Sequence, residues 1–372
     1  MVVGVLGGGQ LARMLALAAY PLGLRIEVFD PAPDACASQV AVHHCAPYED
    51  ETALARFAEG KACITCEFEN VSLEAMRFLA KQVAVRPAPP VWEIFQDRLL
   101  EKQYLRSVGI PTVPFAAVDP QRPDEALEQV GCPCVVKTRR FGYDGKGQRV
   151  AQTHEEYRTA VAQLAPHALL VEAYAPFERE LSIIGVRSLS GEIAVYPLVE
   201  NHHREGILRL SLAPACDDTG ALQALATSYI TRLLESLDYV GVMALELFQV
   251  GEQLLANEVA PRVHNSGHWS IEGAETSQFE NHLRAILGYP LGCTAPRGAS
   301  AMVNLIGELP SIERVLSVPG AHLHLYGKSP RPGRKLGHIT LRADSEAERD
   351  KRLQQLYQQI GQNVPQLKRD AS

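Results

Sequence analysis

Three consecutive glycines, Gly7 to Gly9, separate a short apolar run from a segment with the periodicity of an amphipathic helix. We predict a strand over residues 2–6, a helix over residues 10–20 and a second strand over residues 25–29, which together form a βαβ unit. Because the first amide groups of a helix have no partner within it, this turn is suited to binding a phosphate. The alternative is that the glycines serve only a tight turn.

The same turn also fits a dinucleotide-binding pattern. Gly7, Gly9 and Ala12 have the GxGxxA spacing, and Asp30 ends the next strand about 20 residues further on. An NAD-dependent dehydrogenase is therefore an alternative at this point.

The rest of the chain divides into three predicted domains, since 372 residues exceed one ordinary core. Strand-like runs at residues 62–66 and 83–85 and a helical pattern at 71–80 continue a parallel sheet with helices on both faces. We place this α/β domain at residues 1–92. A strand-rich domain follows at 93–295, with helices at 91–108, 221–237 and 277–287 and one of its strands over 193–199. A small β-rich cap lies at 296–372.

Charge and composition exclude several classes of function. The net charge of -7 gives no general attraction to nucleic acid or to an anionic membrane. The first residues lack a basic region, and their apolar run is too short for a signal peptide or a membrane span, so we expect a cytoplasmic protein. The eight cysteines are expected to be reduced thiols, and Cys63-Ile-Thr-Cys66 fits a buried strand better than a zinc or redox site.

A second glycine-rich stretch runs from Arg139 to Gln148 and joins two predicted strands. It lacks the Gly-Lys-Ser/Thr ending of a P-loop, so we interpret it as a flexible flap, within a subdomain at about 112–175. Its backbone amides would hold a triphosphate, with Lys137 adding positive charge from the preceding strand. A solvated basic hairpin is the alternative.

Two carboxylates lie on the arms of a predicted hairpin. Glu246 is in the first arm and Glu258 in the second, next to Asn257. Oxygen ligands converging from neighbouring strands suit Mg²⁺ that bridges nucleotide phosphates. Exposed carboxylates on the outer face of the sheet are the alternative.

Two polar stretches complete the candidate site. Four different donors follow the second arm, namely Arg262, His264, Asn265 and Ser266. Such donors suit a phosphate, a carboxyphosphate or a substrate amine. Residues 331–338 concentrate three cations and a histidine, which indicates either an anion-binding loop or a solubilising turn.

Together these segments resemble one family along nearly the whole chain, the ATP-grasp 5-(carboxyamino)imidazole ribonucleotide synthetases of bacteria and fungi. The motifs occur in the order and spacing of that family: Gly7-Gly-Gly-Gln-Leu-Ala-Arg-Met14, Glu67-Phe-Glu-Asn70, Phe141-Gly-Tyr-Asp-Gly-Lys-Gly147, Asn257-Glu-Val-Ala-Pro-Arg-Val-His-Asn-Ser-Gly-His268 and Arg331-Pro-Gly-Arg-Lys-Leu-Gly-His338. One departure is Cys66, where many members carry an aromatic residue.

The resemblance implies a Rossmann-like pre-ATP-grasp domain, an ATP-grasp domain and a C-terminal cap. It implies carboxylation of 5-aminoimidazole ribonucleotide with bicarbonate and ATP in purine biosynthesis, by a homodimer. Arg262, Lys137 and Asp144 would be catalytic, and Glu246 and Glu258 would hold Mg²⁺ or Mn²⁺. The implied ATP contacts are Arg98, Lys137, Gly142, Tyr143, Asp144, Gly145, Lys146, Gly147, Gln148, Glu172, Ala173, Tyr174, Ala175, Glu180, His203, Asn257 and Glu258. The implied ribonucleotide contacts are Gly9, Gln10, Leu11, Glu67, Tyr143, Asp144, Arg262, His264, Asn265, Ser266, Arg334 and Lys335.

Three other functions stay open at this point. A formate-dependent glycinamide ribonucleotide transformylase would use the same ATP machinery, although residues 265–268 and 331–338 argue against it. The dehydrogenase predicts binding of NAD, and a non-catalytic regulator would bind ATP without turnover.

Overall fold

A computed structural model of the chain describes residues 1–142, 146–217 and 219–361. The first part is a parallel sheet in the order β3-β2-β1-β4, flanked by helices. Strands β1 and β4 are almost wholly buried, as expected where helices cover both faces of a parallel sheet, whereas β2 and β3 are partly exposed. The elements are β1 (Val2–Leu6), α1 (Gln10–Ala19), β2 (Arg25–Phe29), β3 (Val42–His44), α2 (Glu51–Ala58), β4 (Cys63–Cys66) and α3 (Leu73–Ala80).

The second part carries the predicted flap on a small antiparallel sheet in the order β5-β8-β6-β7. Two helices cover one face of this sheet around a core of their own. The elements are α4 (Pro89–Phe95), α5 (Arg98–Ser107), β5 (Phe115–Val118), α6 (Pro123–Val130), β6 (Cys134–Thr138), β7 (Gln148–Ala151), α7 (His154–Leu164) and β8 (Leu169–Ala173).

In the described residues the remaining strands form a single nine-stranded sheet, in which β14-β13-β9-β11-β12-β15-β17-β16 are consecutive neighbours and β10 pairs with β9. The predicted cap is therefore continuous with the middle domain, because β15 pairs with β12. The elements are β9 (Arg179–Arg187), β10 (Ile193–Val195), β11 (Val199–Arg204), β12 (Ile207–Ala213), α8 (Ala221–Ser236), β13 (Gly241–Val250), β14 (Gln253–Ala260), α9 (Ser270–Gly273), α10 (Gln278–Leu287), β15 (Ala299–Ile306), α11 (Ile312–Leu316), β16 (Ala321–Leu325), β17 (Lys335–Ala343) and α12 (Glu346–Ile360).

Three sequence predictions about local structure are wrong. The helix predicted over residues 91–108 is two helices, because Asp97 caps α5 by accepting from the amide of Leu99. The strand predicted over 193–199 is split between β10 and β11, and the run at 83–85 forms only a single bridge, between Ile64 and Val85. Five elements were not predicted from the sequence, namely β3, β5, α2, α6 and α7.

Two other expectations bear on compartment and redox chemistry. None of the helices in the described ranges combines the length and apolar character needed to cross a bilayer. Cys63 and Cys66 are free thiols buried in β4, as the strand interpretation predicted.

Candidate functional site

A cleft of about 850 Å³ opens where the three sheets meet. The β6–β7 hairpin, the β13–β14 hairpin, the N-terminus of α1 and the start of β17 all contribute to its wall. The predicted site residues that line it are Gln10, Leu11, Glu67, Arg98, Lys137, Gly142, Lys146, Gln148, Glu172, Ala173, Tyr174, Ala175, Glu180, His203, Glu246, Asn257, Glu258, Arg262, His264, Asn265 and Lys335.

A buried ion network supports one wall of this cleft. Lys137 of β6 donates to Glu172 of β8 at 2.9 Å, and Lys102 of α5 lies 3.4 Å from the same carboxylate oxygen. Lys102 and Glu172 are 1% and 2% exposed. Burial alone would raise the pKa of Glu172, but the two ammonium groups outweigh it and hold that pKa at about 2. Glu172 is thus ionised and fixes the position of Lys137.

Arg98 connects α5 to the flap. Its guanidinium donates to the carbonyl oxygens of Thr138, at 3.0 Å, and of Gly142, at 3.2 Å. A Cβ at Gly142 would collide with this guanidinium, so a larger residue there would displace the Arg98 side chain. Three predicted site residues of the flap, Tyr143, Asp144 and Gly145, lie outside the described residues.

Another part of the cleft combines a polar pair and an aromatic pair. His203 Nδ1 lies 2.8 Å from Glu180. Burial lowers the pKa of His203, but Glu180 and the nearby carboxylates outweigh it and raise that pKa overall. Phe177 and Phe248 stack with ring centroids 4.6 Å apart and line the same cleft. This aromatic pair was not anticipated from the sequence.

The two predicted metal ligands converge because of a β-bulge. Leu245 pairs with Val259 but Leu247 pairs with Ala256, so Glu246 faces both Asn257 and Glu258. Burial and the carboxylate of Glu258 raise the pKa of Glu246 to about 8.

This oxygen-rich arrangement fits a divalent cation. Asn257 Oδ1 is buried without a hydrogen-bond partner, and two carboxyl groups face each other. No group of three or more His, Cys, Asp or Glu side chains that could hold a metal occurs within residues 1–142, 146–217 and 219–361. Phosphate oxygens of a nucleotide would therefore have to complete the coordination.

The polar stretch after β14 is held in place by several partners. Arg262 lies 2.7 Å from Glu69, and Asn265 exchanges two hydrogen bonds with Asn304, at 3.1 and 2.7 Å. His264 Nε2 lies 3.3 Å from Glu246. Ser266, predicted to contact substrate, is instead fully buried behind the wall of the cleft.

The backbone amides of the first glycine turn donate hydrogen bonds to two carboxylate side chains of the protein itself. Glu67 accepts hydrogen bonds from the amides of Gly9, at 2.5 Å, Leu11, at 3.1 Å, and Ala12, at 3.2 Å. Asp30 accepts from Gly8 at 2.7 Å. The turn amides on which the phosphate prediction and the dinucleotide prediction depended therefore donate to these two carboxylates.

Cationic side chains approach this turn from the C-terminal part. Lys328 donates to the side-chain oxygen of Gln10, and Lys335 lines the cleft. Arg334 does not line the cleft and donates to the carbonyl oxygen of Ser329 at 3.2 Å. Gly147 also lies outside the lining. Lys328 was missed because it precedes the 331–338 motif and its contact with Gln10 joins residues far apart in the sequence.

A nucleotide-sized cleft between a small antiparallel sheet and a large one defines an ATP-grasp enzyme. The chain matches the ATP-grasp domain family over residues 103–279, the ribonucleotide synthetase preATP-grasp domain over 1–96, and the phosphoribosylaminoimidazole carboxylase C-terminal domain over 300–352. These matches confirm the predicted fold class.

Curated and solved relatives narrow this class to one family. The N5-carboxyaminoimidazole ribonucleotide synthase of Pseudomonas aeruginosa is 49% identical over 93% of this chain and 96% of that protein. The crystal structure of the synthetase from Thermus thermophilus superposes with a TM-score of 0.93 and 56% identity, over 98% of this chain and 99% of that one. The Aspergillus clavatus enzyme in complex with ADP and 5-aminoimidazole ribonucleotide has a TM-score of 0.90 and 32% identity, over 97% and 98%.

The chain belongs to the N5-carboxyaminoimidazole ribonucleotide synthase family. Its reaction class is the ATP-dependent ligation of that family in purine biosynthesis, which confirms the activity expected from the sequence. The dehydrogenase and transformylase alternatives are therefore wrong.

Proposed function

We propose that this chain carboxylates 5-aminoimidazole ribonucleotide on its exocyclic amine, using bicarbonate and ATP and releasing ADP and phosphate. One observation carries the proposal. The carboxylate pair of Glu246 and Glu258 lies in the same cleft as the ammonium group of Lys137 and the donors Arg262 and His264. A nucleotide triphosphate and a second anionic substrate can therefore meet there.

ATP would lie between the two sheets with its base near Phe177 and Phe248. The aromatic pair gives an apolar surface, and Tyr174 and Ala175 of the adjoining segment line the same region. Lys137 and Arg98 would face the phosphates, where their charges offset the negative charge that builds up during phosphoryl transfer. Tyr143, Asp144 and Gly145, which lie outside the described residues, stay predicted contacts of ATP.

Magnesium, with manganese as the alternative, would be held by Glu246, Glu258 and the amide oxygen of Asn257. When bound, it would neutralise phosphate charge and align the terminal phosphoryl group. Glu246 would then be ionised, because a cation replaces the repulsion that raises its pKa here.

The reaction would proceed in two balanced steps. A bicarbonate oxygen attacks the γ-phosphorus and ADP leaves, which gives carboxyphosphate. The amine nitrogen then forms a bond to the carbonyl carbon while phosphate leaves and the amine loses a proton. Arg262, paired with Glu69 at 2.7 Å, would orient the carboxyphosphate, and exclusion of water would protect that labile species.

The phosphate of the ribonucleotide would meet cations more than glycine amides. Lys335 lines the cleft, and Lys328 reaches Gln10 at the start of α1. Since the amides of Gly9 and Leu11 donate to Glu67, a phosphate there would either share these donors or displace that carboxylate.

The direct test is ADP release from MgATP, with and without bicarbonate and 5-aminoimidazole ribonucleotide, beside an arm with formate and glycinamide ribonucleotide. We expect release that depends on both bicarbonate and aminoimidazole ribonucleotide. Release only in the formate arm, or in neither, would contradict the proposal.

The metal assignment has its own variant. We expect Glu258→Gln to lower turnover by at least about 100-fold at limiting magnesium, because one oxygen charge is lost from the pair. Glu252→Gln, in the exposed turn of the same hairpin, is the matched control and should be near normal. Near-normal turnover of Glu258→Gln would remove the assignment.

The homodimer implied by the family resemblance stays a prediction. Sedimentation equilibrium of the purified chain is the measurement that checks it.

A further inference from the structure

A chain of buried hydrogen bonds runs from the large sheet to the imidazole of His264. Ser211 of β12 donates to Asn201 Oδ1 of β11 at 2.7 Å, and Asn201 Nδ2 donates to Ser182 Oγ of β9 at 2.9 Å. Ser182 donates to Ser266 Oγ at 2.8 Å. Ser266 Oγ in turn lies 2.9 Å from His264 Nδ1. Four successive partners therefore lead to one ring nitrogen.

The direction of this chain is fixed at its last member. The backbone amide of Ser266 donates to His264 Nδ1 at 3.3 Å, so that nitrogen caps the short turn of residues 265–267. A backbone N–H is always a donor, so the ring nitrogen that receives it carries no proton. Because Nδ1 then has no proton to give, the Ser266 hydroxyl is the donor in the 2.9 Å contact, and the two donors share the one lone pair of that nitrogen. This excludes both the Nδ1–H tautomer and the doubly protonated ring.

Every other bond then has a single consistent direction. If Ser266 donates its one proton to His264, it must accept from Ser182, which in turn accepts from the amide nitrogen of Asn201. A flipped Asn201 amide would require Ser182 to donate to it, and the link to Ser266 would lose its proton. The three serines are fully buried and Asn201 is 4% exposed. Water therefore does not compete, and such chains are cooperative in a low dielectric.

We propose that this hydrogen-bond chain locks His264 as the Nε2–H tautomer, so that in the cleft its side chain is a permanent hydrogen-bond donor and neither a base nor a metal ligand. Ser182, Asn201, Ser211 and Ser266 are then positioning residues. In this structure the Nε2 atom lies 3.3 Å from Glu246 Oε1. The donor would orient that carboxylate toward the cation, or would donate to an oxygen of bicarbonate or carboxyphosphate beside Arg262. This use of the donor rests on the proposed function, whereas the tautomer does not.

An independent clasp reinforces the geometry. Gln278 accepts from the backbone amide of His264 at 2.9 Å and donates to its carbonyl oxygen at 2.6 Å. These two bonds fix which atom of the Gln278 amide is nitrogen. That nitrogen also lies 3.3 Å from His268 Nδ1, so His268, which lines the cleft, has the same tautomer. The stretch thus presents neutral imidazole donors.

The direct test is NMR of the full chain labelled with ¹⁵N-histidine, in which the coupling of ring nitrogens to carbon-bound protons separates the tautomers. His264→Gln identifies the His264 signals among the 12 histidines. We expect Nδ1 to have the shift of an unprotonated nitrogen and Nε2 that of a protonated one. The opposite pattern, or averaging between tautomers, would overturn the proposal. Because no turnover is needed, this outcome is separate from the fate of the proposed carboxylation.

Variants of His264 then test whether a hydrogen-bond donor at Nε2 matters for the reaction. The amide nitrogen of Gln reaches the Nε2 position and that of Asn only the Nδ1 position. We therefore expect His264→Gln to retain at least about 10-fold more kcat/KM for bicarbonate than His264→Asn. Equal values, or the reverse order, would contradict a donor role at Nε2.

A variant that removes one hydroxyl of this hydrogen-bond chain tests its effect on the His264 tautomer and on kcat. Ser182→Ala should allow tautomer averaging at His264 and lower kcat by about 10-fold to 100-fold, the usual cost of losing a second layer of support. Ser300→Ala removes an equally buried hydroxyl of the same sheet that makes no hydrogen bond, and it should change neither quantity. An unchanged tautomer and rate in Ser182→Ala would show that the chain does not hold the ring.

Discussion

The glycine turn at residues 7–9 and the glycine-rich segment at 139–147 both border the cleft, but they accommodate different groups of the chain. In the first, Glu67 packs over the backbone and takes three amide protons. In the second, the guanidinium of Arg98 packs against Gly142 and donates to carbonyl oxygens of the hairpin. A glycine in each place allows a close approach, and the approaching group has the opposite charge in the two cases.

The contrast between the two segments shows how much structural information a glycine motif contains. It predicts that something will lie close to the backbone, but the identity of that group depends on residues far away in the sequence. At the first turn the group is a carboxylate, so the turn is a rigid part of the fold. At the second the group is a cation from α5, so the hairpin is tied to that helix.

The first variant removes the link that Arg98 makes between α5 and the β6–β7 hairpin, and it should change the kinetics most. We expect Arg98→Met to lower kcat/KM for ATP by about 100-fold to 1,000-fold, because the hairpin loses its link to α5 and the cleft loses a positive charge. The melting temperature should fall modestly, because the carbonyl oxygens of Thr138 and Gly142 lose a donor. Arg106→Met, on the same helix and packed over Phe115, is the matched control and should retain its kinetics. Normal ATP kinetics in Arg98→Met would mean that the two segments do not differ in this way.

The second variant removes the Glu67 carboxylate from the first glycine turn. Glu67→Ala leaves the amides of Gly9, Leu11 and Ala12 without their acceptor, and each unpaired group costs about 1–3 kcal/mol. We expect a lower melting temperature and a KM for aminoimidazole ribonucleotide raised about 10-fold, with the KM for ATP unchanged. Calorimetry and steady-state kinetics measure both. A lower KM for the ribonucleotide would instead mean that Glu67 only occupies the place of its phosphate.

A smaller effect tests why glycine is needed in the turn. A Cβ on Gly9 would collide with the Glu67 carboxylate, although its φ of -81° is accessible to any residue. Gly9→Ala should therefore destabilise the chain by about 1–3 kcal/mol through overpacking alone. Gly60→Ala is the comparison, because its φ of +69° gives backbone strain without overpacking, so it should lose stability but keep the kinetics of the parent. Equal kinetics and stability of Gly9→Ala and the parent would contradict the close approach.

These cases show what the sequence could predict. Periodicity and turn residues predicted the βαβ unit and the β13–β14 hairpin, because those features depend on neighbours along the chain. The contact of Glu67 with Gly9 joins residues 58 positions apart, and no local pattern indicates it.

The missed parts of the site have the same cause. Lys102 lies on α5 among charged residues, and this pattern is typical of a solvent-exposed side chain. In the structure it is buried against Glu172. Phe177 and Phe248 are separated in sequence and meet only because their segments adjoin. The bulge that turns Glu246 toward Glu258 is likewise set by pairing across the hairpin, although the convergence of the two carboxylates was correctly predicted.

The last prediction concerns His282, which connects the N-terminal sheet to β13, and the pH dependence of the free energy of unfolding. Thr65, two residues before Glu67, lies 2.9 Å from His282 Nε2, and the amide of Val242 donates to His282 Nδ1. Burial lowers the pKa of His282 to about 4, from 6.5 in an unfolded chain. Its contribution to stability is therefore fully present above about pH 6.5 and is lost as the pH falls through 4.

His282→Asn removes this titration while leaving an oxygen that can accept from Val242. Between pH 6.5 and 4 the free energy of unfolding of the parent should fall faster than that of the variant, by at most about 1.4 kcal/mol per pH unit for one proton. Denaturant unfolding of both proteins at several pH values gives the two slopes. Parallel slopes would mean that His282 is not held neutral between the N-terminal sheet and β13.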